Sequence, residues 1–347
     1  MVYFNTRHDL PTGRQVHVIR YNLCIAYVYR NTCLVYHVYM RYIRETGHQG
    51  LLWVNVTRQN ERELKEVQKR FGLLPADIKE SLPPFQRPKI VKRADYYFMV
   101  LHFPVFDRET RRLGFTEVDF FLNANFLITV HDDKLLPIDE FFSECSKDAN
   151  TRIKFFQGTM VGVLFELMQR LLEAIFPILL HVNDDINVVD KKLFAKMPGK
   201  EMAEEILRLK SNIVTFRRTM QGHKTVLDRL VLYAGRELNL ASYQNYISSL
   251  REFTMEIWHM LESQKESINA LHETNESILT LRTNEIMKTL TIISVITFPL
   301  TLVATLFAVH AQGTPFLEHS FGFWILFGLT ILGALFMLVI FKKRRWI

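Results

Sequence analysis

Asn284, Met287, Thr291, Ser294, Phe298, Thr301 and Thr305 are separated alternately by three and four positions, which places them on one face of a helix. Most of them carry an amide or a hydroxyl inside an otherwise apolar stretch, with Ile292, Ile293, Val295, Ile296, Leu300, Leu302 and Val303 on the opposing side. Two chemistries fit. Hydroxyls in a membrane helix can bond to their own backbone or to a neighbouring helix and line nothing. Alternatively, several copies of this face can surround water and let a polar solute cross. Thr289 and Thr297 fall off the stripe, which keeps the first reading open.

The stripe runs out at Ala308, Val309 and His310, and Gln312, Glu318 and His319 follow within a short polar stretch. Of these, His310 is the candidate metal ligand. Neutral imidazole offers one nitrogen acceptor and suits zinc, nickel or cobalt, whereas magnesium keeps its waters and prefers oxygen. A ring of such side chains would take up protons near pH 6.5, or lower because the copies repel, and would then reject cations. The competing role for His310 is a cap at a helix end, where the dipole favours a cation. Gln312, Glu318 and His319 form either an outer collecting site or simply a solvated loop.

Two apolar elements must position these residues. Segments 289–309 and 321–341 contain no charged side chain and match the roughly 20 residues needed to cross a bilayer. A third apolar stretch from Met160 holds Glu166, Arg170 and Glu173, so it reads as a buried or bundle helix. Arg282 and Lys288 precede the first span, Lys342, Lys343, Arg344 and Arg345 follow the second, and residues 310–320 have no Lys or Arg. Both termini are therefore expected on the cytoplasmic side of a plasma (inner) membrane, with a short outer loop.

The preceding chain reads as α+β. Residues 1–39 are rich in Tyr, Val and Arg without clear turn chemistry, an atypical extension expected to lie outside the fold core, with Met40 as the candidate natural start. Residues 40–146 mix short strands with an amphipathic helix closed by Gly72, and "NAN" forms a turn between two strands. Residues 147–288 are almost wholly helical in pattern, broken at "KMPGK" and more weakly near Gly235 and Asn239. A continuous helix from about Tyr243 to Val309 would be roughly 100 Å long. A helix of that length needs partners for its apolar stripe, and self-association supplies them economically.

The net charge of +7 comes from cations scattered among acids, except in the tail 342–347, which positive-inside anchoring explains better than nucleic-acid binding. Cys24, Cys33 and Cys145 are far apart and suggest neither zinc site nor disulfide framework. No GxxxxGK, HExxH or GxSxG motif is present, so no enzyme activity or resident cofactor is expected. The acids of "NDDIN" (183–187) and Glu262, Glu266, Glu273 and Glu276 read as solvated helix faces, and "HDD" (131–133) as a polar loop end.

Residues 40–347 resemble the CorA family of divalent-cation channels. The resemblance rests on "RPKI" at 87–90 after a proline-rich loop, the long helix entering the first span, "FPLTLVATLF" at 298–307, "GTPF" in the outer loop, "GFW" opening the second span and the basic tail. It implies a homopentameric funnel with an N-terminal α/β cytoplasmic domain, a helical stalk and two membrane helices. It also implies passive transport of magnesium, cobalt, nickel or zinc, with the stripe from Asn284 to Thr305 lining the pore. The family's outer-mouth signature is Gly-Met-Asn, and here Ala308, Val309 and His310 stand in its place. That departure implies an altered selectivity ring, or a non-conducting membrane-anchored scaffold of the same architecture.

Overall fold

The computed structural model describes residues 42–57, 61–195, 200–308 and 321–344, together with the backbone of four earlier strands. Those strands, β1 (Asn5–Asp9), β2 (Gln15–Tyr21), β3 (Cys24–Tyr29) and β4 (Thr32–Tyr36), pair antiparallel in sequential order as a sheet of their own.

The following elements are β5 (Ile43–His48), β6 (Leu51–Thr57), α1 (Glu61–Phe71), α2 (Pro75–Glu80), β7 (Lys89–Lys92), β8 (Tyr97–Asp107), β9 (Arg112–Leu122) and β10 (Phe126–His131). Their sheet has the order β5-β6-β10-β9-β8-β7, antiparallel except for the parallel pair β6 and β10. Local chemistry accounts for the turns. Gln49 and Gly50 both have positive φ, 49° and 82°, as a tight hairpin between β5 and β6 requires. Gly72, at φ 65°, closes α1. Between β9 and β10 the Asn123 carboxamide oxygen accepts from the backbone N–H of Asn125 and Phe126, both at 2.8 Å.

Helices follow: α3 (Leu136–Lys147), α4 (Ala149–Phe155), α5 (Val161–Glu173), α6 (Phe176–Ala195), α7 (Lys200–Ala234), a 3-10 turn at Leu240–Tyr243, α8 (Gln244–Ala308) and α9 (Gly322–Lys343). The strands alternate between two cores as the pleat dictates. Val118, Phe120 and Leu122 of β9 join Trp53 and the buried residues of α3, α5 and α7, while Phe121 joins Val54, Val56 and the α1 residues Leu64 and Val67. Trp53 packs 5.3 Å from Phe141 and 5.1 Å from Phe142, and its Nε1–H donates to Thr129 Oγ1 at 3.1 Å. The apolar stretch from Met160 is core: Leu164, Phe165, Leu167 and Met168 of α5 are buried, and Arg170 bridges Glu166 and Glu144, each at 2.8 Å.

The chain divides into two compact units, the first comprising Met1–His181 with Asn212–Glu262, the second Val182–Ser211 with Ser263–Ile347. In the second, Val182, Ile186 and Val189 of α6, Ile206 and Leu209 of α7, and Ile268 and Leu271 of α8 are buried at helical spacing. Arg208 links Asp185 at 3.0 Å and Glu205 at 2.7 Å.

Candidate ion pathway

The C-terminal part of α8 carries the stripe, and its local hydrogen bonding follows from residue type. Thr291 donates to the Met287 carbonyl at 2.7 Å, Ser294 to Leu290 at 2.9 Å, Thr301 to Thr297 at 2.9 Å and Thr305 to Leu302 at 2.9 Å. Each hydroxyl hydrogen is thereby committed to its own helix, and the oxygen presents acceptor lone pairs outward. Both readings of the stripe accommodate these bonds. Off the stripe, Thr289 makes the same bond to Glu285 at 2.9 Å. Back-bonding therefore belongs to the residue type and not to the face.

The side opposite the stripe supplies a distinction. Ile292, Ile296, Pro299, Leu300 and Val303 are half-buried, and Leu300 lies where a Cβ on Gly333 of α9 would meet its Cδ2 at 3.4 Å. At about 100° per residue these positions centre roughly half a turn away from Thr291, Phe298 and Thr305. Thus α9 meets α8 at Leu300 on the aliphatic side, and the described residues leave most of the stripe uncovered. Asn284, Met287, Thr291, Phe298, Thr301 and Thr305 are exposed, Phe298 to 72%, and Ser294 is half-buried. Both α8 and α9 are long and apolar enough to cross a membrane.

Ala308 is the last residue of α8. Val309, His310, Gln312, Glu318 and His319 lie outside the described residues.

Other polar candidates resolve into structural roles. His131 is buried, with Nδ1 against the Asp132 carbonyl at 2.6 Å and Nε2 against the Asn55 amide at 2.9 Å; burial lowers its pKa and keeps the imidazole neutral. Both ring nitrogens are therefore engaged, and "HDD" presents no imidazole to a metal. Asn55 is itself buried in β6. Glu262 pairs with Arg217 at 2.8 Å. Among the described residues no group of three or more His, Cys, Asp or Glu is placed to hold a metal ion.

Asp77, Glu117, Asp119 and His223 are buried ionisable groups that no sequence pattern singled out, and of these Asp119 and His223 have no hydrogen-bond partner among the described residues. Asp119 of β9 is 0% exposed and neither carboxylate oxygen closes a hydrogen bond. Burial, then the neighbouring Glu117, push it well above the usual carboxylate range, with Ser81 and Lys89 opposing. Its signal is a lone acid inside the strand run "VDFFL". His223 of α7, edge-on to Phe103 at 5.2 Å, is 0% exposed with neither ring nitrogen bonded, and burial depresses it to about 4. No pattern marked it, because a histidine on a helix also suits an exposed face.

Residues 48–343 match the family described as "CorA-like Mg2+ transporter protein". The chain is 25% identical over 301 residues to the cobalt/magnesium transport protein CorA of Thermotoga maritima, covering 85% of this chain and 83% of that one. The protein of the same name from Methanocaldococcus jannaschii is 22% identical over 300 residues, covering 86% and 92%. Among solved structures, the complete CorA magnesium transporter of Methanocaldococcus jannaschii superposes with a TM-score of 0.75 at 20% identity, covering 88% of this chain and 98% of that chain. The full-length CmaX protein gives 0.65 at 19% identity, covering 93% and 94%.

Proposed function

This chain belongs to the CorA-like Mg2+ transporter family, and from that premise we propose that it is a passive divalent-cation transporter whose path through the bilayer is lined by the hydroxyl face of α8. The observation that carries the reading is the contrast between two sides of α8: Leu300, on the aliphatic side, lies against Gly333 of α9, while Thr291, Thr301 and Thr305 on the stripe are exposed. Copies of the chain arranged about an axis would cover the second side, and five is the number the family resemblance implies. Hydroxyl oxygens whose hydrogens are bound to the helix act as acceptors. They match the outward-pointing hydrogens of a cation that keeps its water shell, as magnesium does.

No energy-coupling apparatus is needed. An inside-negative potential drives a divalent cation inward by about 4.6 kcal/mol per 100 mV, twice the single-charge value. The positive residues flanking the spans support a reading in which both termini face the cytoplasm.

The mouth departs from the family pattern. With His310 in place of asparagine, the outer ring offers imidazole nitrogen and favours zinc, nickel or cobalt over magnesium. The same substitution of Ala308, Val309 and His310 is the specific observation behind a second reading, a non-conducting membrane scaffold.

Flux into vesicles containing the full-length protein and a metal-sensitive dye separates the two. Transport predicts uptake of at least one of magnesium, cobalt, nickel or zinc that rises with inside-negative potential. An oligomer that passes none of the four at any pH between 5 and 8 overturns transport and supports the scaffold. His310→Asn is expected to shift preference toward magnesium, and unchanged preference removes His310 as selector.

A further inference from the structure

The loop joining α2 to β7 is held firmly at its base and bare at its crest. His102 of β8 and Glu117 of β9 face each other across the sheet, and both take hold of Gln86. The Glu117 carboxylate, 1% exposed, accepts the Gln86 backbone N–H, and His102 Nε2–H donates to the Gln86 carbonyl at 2.7 Å. The Gln86 side chain turns back and donates to the Pro84 carbonyl at 2.9 Å. These bonds fix the loop while Pro83, Pro84, Phe85 and Arg87 stay exposed. Phe85 is 44% exposed although Phe115 stands 5.5 Å away. Lys89 is closed on Glu80, but Arg87 has no ion pair among the described residues. A fixed loop presenting an aromatic ring and a guanidinium has the composition of an interface anchor, and little entropy remains for it to lose on docking.

The complement stands on the same unit, along the start of α8. Glu252, Met255, Glu256 and His259 are exposed and form a shallow furrow with Ser248, Arg251 and Met260, while Leu250, Ile257 and Leu261 on the other side of the helix are core. Arg251 is taken by Asp228 at 2.8 Å. Glu252 and Glu256 have no ion pair among the described residues, and Met255 is 53% exposed. The furrow therefore offers what the loop lacks: two free carboxylates beside a thioether.

We propose that the loop at 83–87 of one copy docks into the α8 furrow of a second copy, with Phe85 against Met255 and Arg87 between Glu252 and Glu256. Sulfur packs well on an aromatic ring, and a guanidinium pairs strongly with carboxylates. The contact rests on the reading above that copies of the chain surround an axis, and it names the surfaces that join them. Loop against loop would set Arg87 on Arg87, and furrow against furrow would set acid on acid, so a two-fold pairing is disfavoured. The contact is instead heterologous: each copy gives its loop to one neighbour and its furrow to the other, and the chain of contacts ends only when a ring closes.

The test is cysteine cross-linking of the full-length protein in detergent, with Cys24→Ser and Cys33→Ser as background and the buried Cys145 retained. Pro84→Cys and His259→Cys, placed beside the anchors so that Phe85 and Met255 remain, are joined by a short bismaleimide. The double variant should give a ladder of covalent bands extending past the dimer. Each single variant alone should stay monomeric, and the two singles mixed should give dimers only. Arg87→Glu should slow growth of the ladder about tenfold, and adding Glu252→Arg with Glu256→Arg should restore it. Monomeric bands from the double variant, while a lysine-reactive cross-linker still joins copies, overturn this contact and leave the assembly required for transport standing. Monomers with both reagents overturn the contact and that assembly together. A ladder that stops at the dimer, or a charge exchange that fails to rescue Arg87→Glu, also overturns the proposal.

Discussion

The sheet domain and the membrane end of α8 follow opposite burial rules. In the first unit Trp53, Phe98, Phe120, Phe121 and Phe141 are 0% exposed. From Leu281 to Ala308 and from Gly322 to Lys343 no described side chain is buried, and Phe298, Leu306 and Phe323 are exposed to 72%, 62% and 69%. A sheet face finds its cover within the chain. An apolar belt beside a hydroxyl stripe cannot, because the belt needs lipid and the stripe needs water or another helix. The difference locates what one chain leaves unsatisfied, and it is there that the proposed transport path lies.

The sharpest expected effect sits in the self-sufficient region. Trp53→Ala removes two aromatic contacts and an indole hydrogen bond from a fully buried site. It should cost about 3–5 kcal/mol, read as a lowered guanidinium midpoint of near-ultraviolet circular dichroism. A loss below about 1 kcal/mol would mean that this core is not the rigid one described.

His223 gives the next largest effect and depends on pH. Its folded pKa of about 4 lies below the unfolded value, so the unfolded chain takes up a proton first as pH falls. The contribution of His223 is at its maximum above pH 6.5 and declines toward pH 4, by about 3 kcal/mol in all. Burial is the main cause, and the charge of His102 acts in the same direction. His223→Leu should flatten that part of the stability profile, and an unchanged slope between pH 6.5 and 4 would refute the assignment.

Asp119 has the opposite sign. Its folded pKa is raised, so the contribution of its protonated form is fully present below the unfolded pKa and is lost as pH rises. Asp119→Asn should therefore be the more stable protein at pH 8, by on the order of 1 kcal/mol, with the gap closing as the solution is acidified. A gap that widens with acid would reverse the reading.

Much of this architecture is legible in local chemistry. Gly72 ends α1 where a positive φ is required, Asn123 makes the turn its side chain favours, and the interruption at "KMPGK" falls between α6 and α7. Pairings between distant segments are not written locally. Nothing near Val54 says that it will lie parallel to Ile128. The four strands before residue 40 went unread because their Tyr, Val and Arg runs carry little turn chemistry, and α3 begins at Leu136 and Pro137 without a side-chain cap. For the candidate path, the three-and-four spacing of Asn284 through Thr305 shows which face is polar. Which side α9 takes required Gly333 and Leu300 to be brought together, since α9 is apolar all round and its sequence names no facing side.

The smallest expected effect separates the two sides of one helix. Thr289 and Thr301 carry the same hydroxyl with the same bond to the backbone four residues earlier, both at 2.9 Å. Replacing either with valine conserves shape and should change folding stability by less than about 0.5 kcal/mol, as for a surface substitution. Their flux should differ. Thr301→Val removes an acceptor from the stripe and should slow metal entry into vesicles about two- to tenfold, a barrier change of at most about 1.4 kcal/mol, whereas Thr289→Val should leave entry unchanged. Equal slowing by both substitutions, or by neither, would show that hydroxyl position on α8 does not govern passage, and the contrast between its two faces would then concern packing alone.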